Sequence, residues 1–297
     1  VAIAQITLDD LNRMDQRAFV AALGDIFEHA PWVAEAAHEA RPFPSLNALY
    51  AAMTAAVRGA GDSRQMTLIN GHPDLAGKAA REGTMTTDSK HEQSSAGLDR
   101  LSEDEFAAFR RLNNAYSKKF GMPFIVCVRR HGKESILRQF ERRLGNDGAT
   151  ERDAALTEIF RIAALRLDQR VTAPDRLRVH GLLSTHALDT HGGRPASGVA
   201  IELFEVASSG EPHLISRTIT NADGRTDRPL IAEQPIPIAQ YELRFGIGEY
   251  FARQATSLAD PPFLGVVPIR FAVAEPEAHY HVPIIVTPWS YSTYRGS

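Results

Sequence analysis

The stretch His279–Ser297, HYHVPIIVTPWSYSTYRGS, decides how this chain is read. Its first eight residues alternate. Tyr280, Val282, Ile284 and Val286 fall on one side of an extended strand and His279 and His281 on the other, because side chains switch faces with a period of two. The apolar row belongs against a core, and the two imidazoles then share the opposite face. Pro283 has no N–H to give to a ladder, which predicts an edge strand or a bulge at that point. Chain ends are ordinarily polar and loose. A segment that carries Tyr294 and Arg295 after a buried strand is expected to be tied down.

Working backward from that strand, the pattern stays short and alternating. Further strands are expected at 178–187, 199–206, 213–220, 241–245 and 266–274, with 281–287 as the last. In the fourth, Tyr241, Leu243 and Phe245 alternate with Glu242 and Arg244. Asn221-Ala222-Asp223-Gly224 reads as a hairpin turn, and 247–255 as one short helix. Short strands separated by turns describe a small antiparallel β-sandwich.

The pattern changes near residue 173. All lysines precede that seam, and every Lys-or-Arg position after it is an arginine. Pro174 disfavours helix at Ala173, so Ala173-Pro174-Asp175 is the expected joint between two domains, 1–173 and 174–297. The first reads as an all-α helical bundle. Phe19, Leu23, Ile26 and Phe27 follow helical spacing, as do Leu46, Leu49, Tyr50 and Met53. Ser102 with Glu105 forms a capping box. The last helix is expected over 151–170 with Leu156, Ile159, Phe160 and Ala163 on one face. The polar run 81–90 reads as a loop. A chain of this kind, an α bundle followed by a β-sandwich, is multidomain α and β.

Composition narrows the function classes. A hydrophobic fraction of 43% and a charged fraction of 23% are ordinary for a globular protein. A net charge of −3 gives no electrostatic case for nucleic acid. No apolar run approaches the roughly 20 residues of a membrane span. The start lacks a signal-peptide pattern, Arg-Gly-Ser is not a peroxisomal address, and the single Cys127 fits a reducing compartment. The expectation is a cytoplasmic protein.

Several residues could carry chemistry. His72 stands in Asn70-Gly71-His72-Pro73, where Gly71 is expected to close a helix in the left-handed conformation. Pro73 stiffens the exit, leaving an imidazole suited to acid–base work; a surface histidine in a turn is the plain alternative. Ser89 and Glu92, with Gln93 following, have capping-box spacing. Arg166 projects from the apolar stripe of the last helix, so it needs an anionic partner, either a core carboxylate or a substrate carboxylate, unless it snorkels. In the second half, His186 lies near a strand end and Arg225 just past a turn. His279 and His281 are acceptable metal-ligand geometry, but no carboxylate or cysteine stands at ligand spacing beside them. Edge histidines bonded to backbone are the alternative.

Two family resemblances follow from these motifs. INGHPDLAG, SKHEQSSAGL, NNAYSKKFGMPFIVCV, ERRLGN and IFRIAALRL, in that order, resemble 2-oxo-4-hydroxy-4-carboxy-5-ureidoimidazoline (OHCU) decarboxylases over roughly residues 5–170. The resemblance implies a cofactor-free, usually dimeric all-helical decarboxylase. In it His72 is the catalytic histidine and Glu92 the essential glutamate. Pro73, Ser89, Gln93 and the backbone around Phe124, Ile125 and Val128 touch substrate, and Arg166, or else Arg161, holds it. LSTHALDTHGGRPASGV, TNADGRTDRPL and the closing YRGS resemble the transthyretin-like 5-hydroxyisourate hydrolases over about 177–297. That resemblance implies catalytic His186, Arg225 and His281, a site lined by His279, Tyr294, Arg295 and Ser297, no metal, and a tetramer. Together they imply small-molecule substrates, a homo-oligomer, and two consecutive steps of urate breakdown ending in (S)-allantoin. The alternatives are a transthyretin-like ligand carrier fused to a helical partner domain, or zinc-dependent hydrolysis.

Overall fold

The computed structural model describes residues 5–75, 86–98, 101–254 and 258–296. It divides into two compact units. One takes 1–128 with 136–179, the other 129–135 with 180–297. The split after Val179 falls later than the Ala173-Pro174-Asp175 joint. The reason is local: the Asp175 carboxylate accepts from the backbone N–H groups of Leu46 and Asn47 at 2.8 and 3.1 Å, which keeps the joint on the helical unit. In the second unit, segment 129–135 forms a bridge from His131 to Ile238.

The helical unit is organised around Gly148–Arg170, capped by Asp147. Leu156, Ile159, Phe160 and Ala163 are all buried on it. Leu46–Gly59 buries Leu46, Leu49, Met53 and Val57. Gln16–Leu23 buries Phe19 and Leu23, whereas Ile26 and Phe27 are buried beyond its end. Glu103–Phe120 opens on the Ser102–Glu105 capping box and stops at Gly121, whose φ of 67° suits glycine. Phe124 stacks on Phe140 beneath the guanidinium of Arg143. Each such buried ring contributes about 1.5–3 kcal/mol, so the irregular 124–128 segment is anchored by packing. A two-stranded parallel ladder, β1 (Ile6–Thr7) with β2 (Val171–Thr172), closes the unit.

Part of the expected loop is helix. Thr87–Ser95 is helical, with Thr86 as its N-cap, so the loop reading fails over 87–90; residues 81–85 lie outside the described residues.

The second unit is a sandwich of two sheets. One has the order β11 (Tyr291–Thr293), β10 (His279–Val286), β3 (Gly181–Asp189), β4 (Arg194–Pro195), with β7 (Ile231–Gln234) also on β3; the other runs β6 (Pro212–Ile219), β5 (Ala200–Val206), β8 (Gln240–Gly246), β9 (Val266–Ala272). Pairing is antiparallel within the sandwich except between β10 and β3, which run parallel. Tyr280, Val282, Ile284 and Val286 enter the core with Leu183, Ala187, Leu203, Leu243 and Phe245.

Two local expectations change. Pro283 is neither on an edge strand nor at a bulge: β10 pairs continuously with β3, and the missing N–H falls in the gap between the β11 ladder at 284–286 and the antiparallel bridge from His281 to Gly296. The turn at 221–224 does not join paired strands. It carries the chain from β6 in one sheet to β7 in the other.

Candidate functional sites

In the helical unit, one hydrogen-bonded cluster joins three segments. The Arg166 guanidinium, 5% exposed, donates to both Glu92 carboxylate oxygens at 2.8 and 2.9 Å. It also donates to Glu28 at 2.9 Å and reaches Ser89 Oγ at 3.4 Å. The anionic partners are therefore core carboxylates. Burial disfavours the charged guanidinium, but Glu92 and Glu28 outweigh it and raise its pKa further. Glu28 is held below the usual carboxylate range. Burial pushes it up, but the Thr86 hydroxyl and Arg166 together pull it down.

Ser89 and Glu92 meet Arg166 because positions three apart share a helix face. The capping-box reading of that pair is thereby corrected: Thr86 is the cap, and its hydroxyl accepts from Ser89 N–H at 3.3 Å. Gln93 is buried and donates to the Asp74 carbonyl at 3.4 Å, two positions past His72.

His72 is 8% exposed, so it is no surface histidine. Its Nδ1 lies 2.9 Å from the Leu68 carbonyl. A carbonyl has no proton, so Nδ1 carries the hydrogen and Nε2 keeps its lone pair. Burial lowers the His72 pKa to about 4, against smaller opposing pulls from the Leu68 bond and Glu28. Gly71 before it is right-handed, with φ −72°, so the expected left-handed cap is not what ends the helix. Pro73 follows half-buried. Phe124, Ile125 and Val128 are buried. Their backbone is fastened by Arg143, which donates to the Ile125 carbonyl at 2.6 Å, and by Glu158, which accepts from Cys127 N–H at 2.9 Å. Arg161 pairs with that same Glu158 and stays 42% exposed.

In the sandwich unit, the site is a sheet face. Parallel register sets His281 opposite Ser184, and Pro283 opposite His186. Alternation then places Ser184, His186, His279 and His281 on one side. Ser184 Oγ is 2.9 Å from His279 Nε2 and 2.9 Å from His281 Nδ1. Arg225 is bridged to His186 and Gly296 to His281. Gly224 makes the first bridge possible: φ is +71°, its carbonyl accepts from Ala187 N–H at 2.8 Å, and a Cβ there would lie 2.3 Å from the Ala187 carbonyl.

His186 Nε2 donates to the Asp223 carbonyl at 2.9 Å, leaving the lone pair on Nδ1. Both imidazoles are held below their ordinary pKa, by burial first and then by Arg225. Neutral, basic rings result. Gly296 N–H donates to the His281 carbonyl at 2.8 Å, which ties the segment down. Tyr294 is exposed, and Arg295 lies over the Tyr280 ring at 4.6 Å. Ser297 lies outside the described residues. Among the described residues, no three His, Cys, Asp or Glu side chains converge as a metal-binding group.

Sequence reasoning missed Glu28, Thr86 and Ser184. Glu28 had a signal, a carboxylate directly after the apolar pair Ile26-Phe27. Ser184 stands two residues before His186, which puts it on the same strand face.

A helical unit with a buried His–Glu–Arg cluster, and a sandwich with a histidine–arginine face, fit two known families. Residues 12–168 match the OHCU decarboxylase model, and residues 183–296 match that of the HIUase/transthyretin family. The chain belongs to the OHCU decarboxylase family through its helical part and to the HIUase/transthyretin family through its sandwich. It is 41% identical over 169 residues to the 2-oxo-4-hydroxy-4-carboxy-5-ureidoimidazoline decarboxylase of Haloferax volcanii, covering 57% of this chain and 98% of that protein. It is 47% identical over 117 residues to the 5-hydroxyisourate hydrolase of Halalkalibacterium halodurans, covering 39% of this chain and 98% of that one. A solved (S)-allantoin synthase is similar across both parts, with 33% identity, 98% of this chain and 100% of the other covered, and a TM-score of 0.52.

Proposed function

We propose that the sandwich hydrolyses 5-hydroxyisourate to OHCU and that the helical unit decarboxylates OHCU to (S)-allantoin. The observation that carries this reading is the fusion itself: two families whose reactions are consecutive occupy one chain.

In the sandwich, His281 and His186 are neutral bases beside a fixed cation. One imidazole takes a proton from water as the oxygen attacks the ring carbonyl. Arg225 stabilises the oxyanion, and the departing ring nitrogen receives a proton. In the helical unit, the C–C bond to the carboxylate breaks, carbon dioxide leaves, and the electron pair passes into the substrate's own C=N and C=O groups. No external electron sink is required. His72 Nε2, with its lone pair free, manages the single proton that the product carbon gains. Arg166 holds the Glu92 carboxylate in place through two hydrogen bonds, at 2.8 and 2.9 Å. The long 3.4 Å approach of Arg166 to Ser89 is an edge at which a substrate oxygen can enter. Gln93, Pro73 and the fastened backbone at 124–128 complete the walls, and Tyr294, Arg295 and His279 those of the hydrolase. The exposed Trp289, Tyr291 and Tyr294 on and beside edge strand β11 support a homo-oligomer that covers them.

The test uses fresh 5-hydroxyisourate with product chirality followed by circular dichroism. His72→Ala is expected to consume hydroxyisourate normally while OHCU accumulates and decays toward racemic allantoin. His281→Ala is expected to hydrolyse slowly yet use supplied OHCU normally. Mixing the two variants restores (S)-allantoin. Optically pure product at the wild-type rate from His72→Ala would sink the decarboxylase assignment, and a wild-type chain that binds hydroxyisourate without turnover would favour the ligand carrier.

A further inference from the structure

The hydroxyl of Ser184 sits between two imidazoles, 2.9 Å from each. Nothing in the reaction as derived above uses it. A serine hydroxyl owns one proton, so it donates to one ring and must accept from the other. The two histidines therefore cannot choose their tautomers independently. Where His281 Nδ1–H donates to Ser184, Ser184 donates to His279 Nε2, and His281 Nε2 keeps its lone pair. In the reverse arrangement, every hydrogen along the line is displaced by one bond.

We propose that Ser184 is a positioning residue that couples His281 to His279 in a two-step proton relay, so that a proton taken at His281 leaves through His279. This rests on the assignment of His281 to hydrolysis. The balance closes. A proton from water binds His281 Nε2. The Nδ1 proton passes to Ser184 Oγ, and the original hydroxyl proton passes to His279 Nε2. His281 and Ser184 end neutral, and His279 holds the positive charge as imidazolium until its Nδ1 proton goes to water. The direction has a physical cause. His281 is half-buried and faces Arg225 and His186, both of which oppose a positive charge on it, whereas His279 is exposed. Solvent stabilises the charge at the outer ring, and His281 regains its starting tautomer when its Nε2 proton goes to the departing ring nitrogen while the line is refilled from water through His279 and Ser184.

The experiment uses the full chain with 15N-labelled histidine, comparing wild type, Ser184→Ala, Ser184→Thr and His279→Ala. In wild type, His279 and His281 are expected to show linked tautomers in long-range 1H–15N spectra. Ser184→Ala should relax both toward the free mixture, and Ser184→Thr, which keeps the hydroxyl, should hold them. Hydroxyisourate kcat is expected to fall about tenfold in Ser184→Ala with KM within about twofold, because the loss is in proton transfer. Threonine should recover it, and decarboxylation should stay unchanged. His279→Ala, at an exposed position, should show the same kcat loss and carries the kinetic test if Ser184→Ala fails to fold. Unchanged tautomers with unchanged kcat in Ser184→Ala would overturn the relay, and so would a loss confined to KM. If wild type fails to consume hydroxyisourate, the hydrolase reading falls, and the tautomer spectra alone decide whether the hydroxyl couples the rings.

Discussion

Lowering the pH tests the helical site most directly. His72 is assigned as a neutral base, and burial holds its pKa to about 4. At pH 5 such a group is protonated in only about one molecule in eleven, whereas a histidine at its ordinary value of about 6.5 would be about 97% protonated. OHCU decarboxylation, corrected for the spontaneous reaction, should therefore keep about 90% of its rate between pH 7.5 and pH 5.0 rather than fall about thirtyfold. The same burial has a cost in stability. The unfolded chain protonates His72 near pH 6.5 and the folded one only near pH 4, so stability falls as pH drops through that window and levels off below it. The difference reaches about 2 kcal/mol at pH 5 and about 3 kcal/mol below pH 4. Glu28, with a depressed pKa, adds acid sensitivity from the ordinary carboxylate value downward, which leaves the upper part of the window to His72. Urea unfolding followed at 222 nm should show this slope in wild type and lose about 2 kcal/mol of it in His72→Asn. An acid limb in the rate centred near pH 6.5, or an identical slope in the variant, would refute the reasoning.

Three further outcomes are expected. Arg166→Met leaves the Glu28 and Glu92 carboxylates without their shared cation; it should lower helical-domain stability by about 3–5 kcal/mol in denaturant titrations and abolish decarboxylation. Gly296→Ala puts a Cβ 2.6 Å from His281 Cδ2 and must displace that ring; hydroxyisourate hydrolysis should fall at least about tenfold in initial-rate assays while OHCU use is unaffected. Exhaustive chelation should leave hydrolysis unchanged, because the acid–base set is histidine and arginine; a tenfold loss restored by zinc would reject that mechanism.

The alternation in 279–286 was legible because one face of the strand is core and the other is not, and that periodicity is local. The long helix ending at Arg170 was legible for the same reason, including the demand of Arg166 for an anion. What the sequence could not show was who answers that demand. Glu92 and Glu28 lie 74 and 138 residues away from Arg166, and only packing brings them together. The Ser89–Glu92 spacing fitted two local explanations, a cap and a shared helix face, and Thr86 took the cap. Pro283 misled because a missing N–H also fits a gap in the pairing, and it falls between the β11 ladder and the His281–Gly296 bridge. Ser184 shares a strand face with His186, but its meeting with His279 and His281 depends on a parallel register between distant strands, which local pattern does not show.

That parallel pairing also governs when the sandwich becomes competent. Ser184 and His281 are 97 residues apart in the chain, so their meeting closes nearly the whole unit into one loop. Contacts of such long range form slowly, since chain entropy must be lost before they can stabilise anything. Helical segments, by contrast, organise from near neighbours. A refolding chain should regain helical ellipticity early and hydroxyisourate turnover late, when β10 docks beside β3.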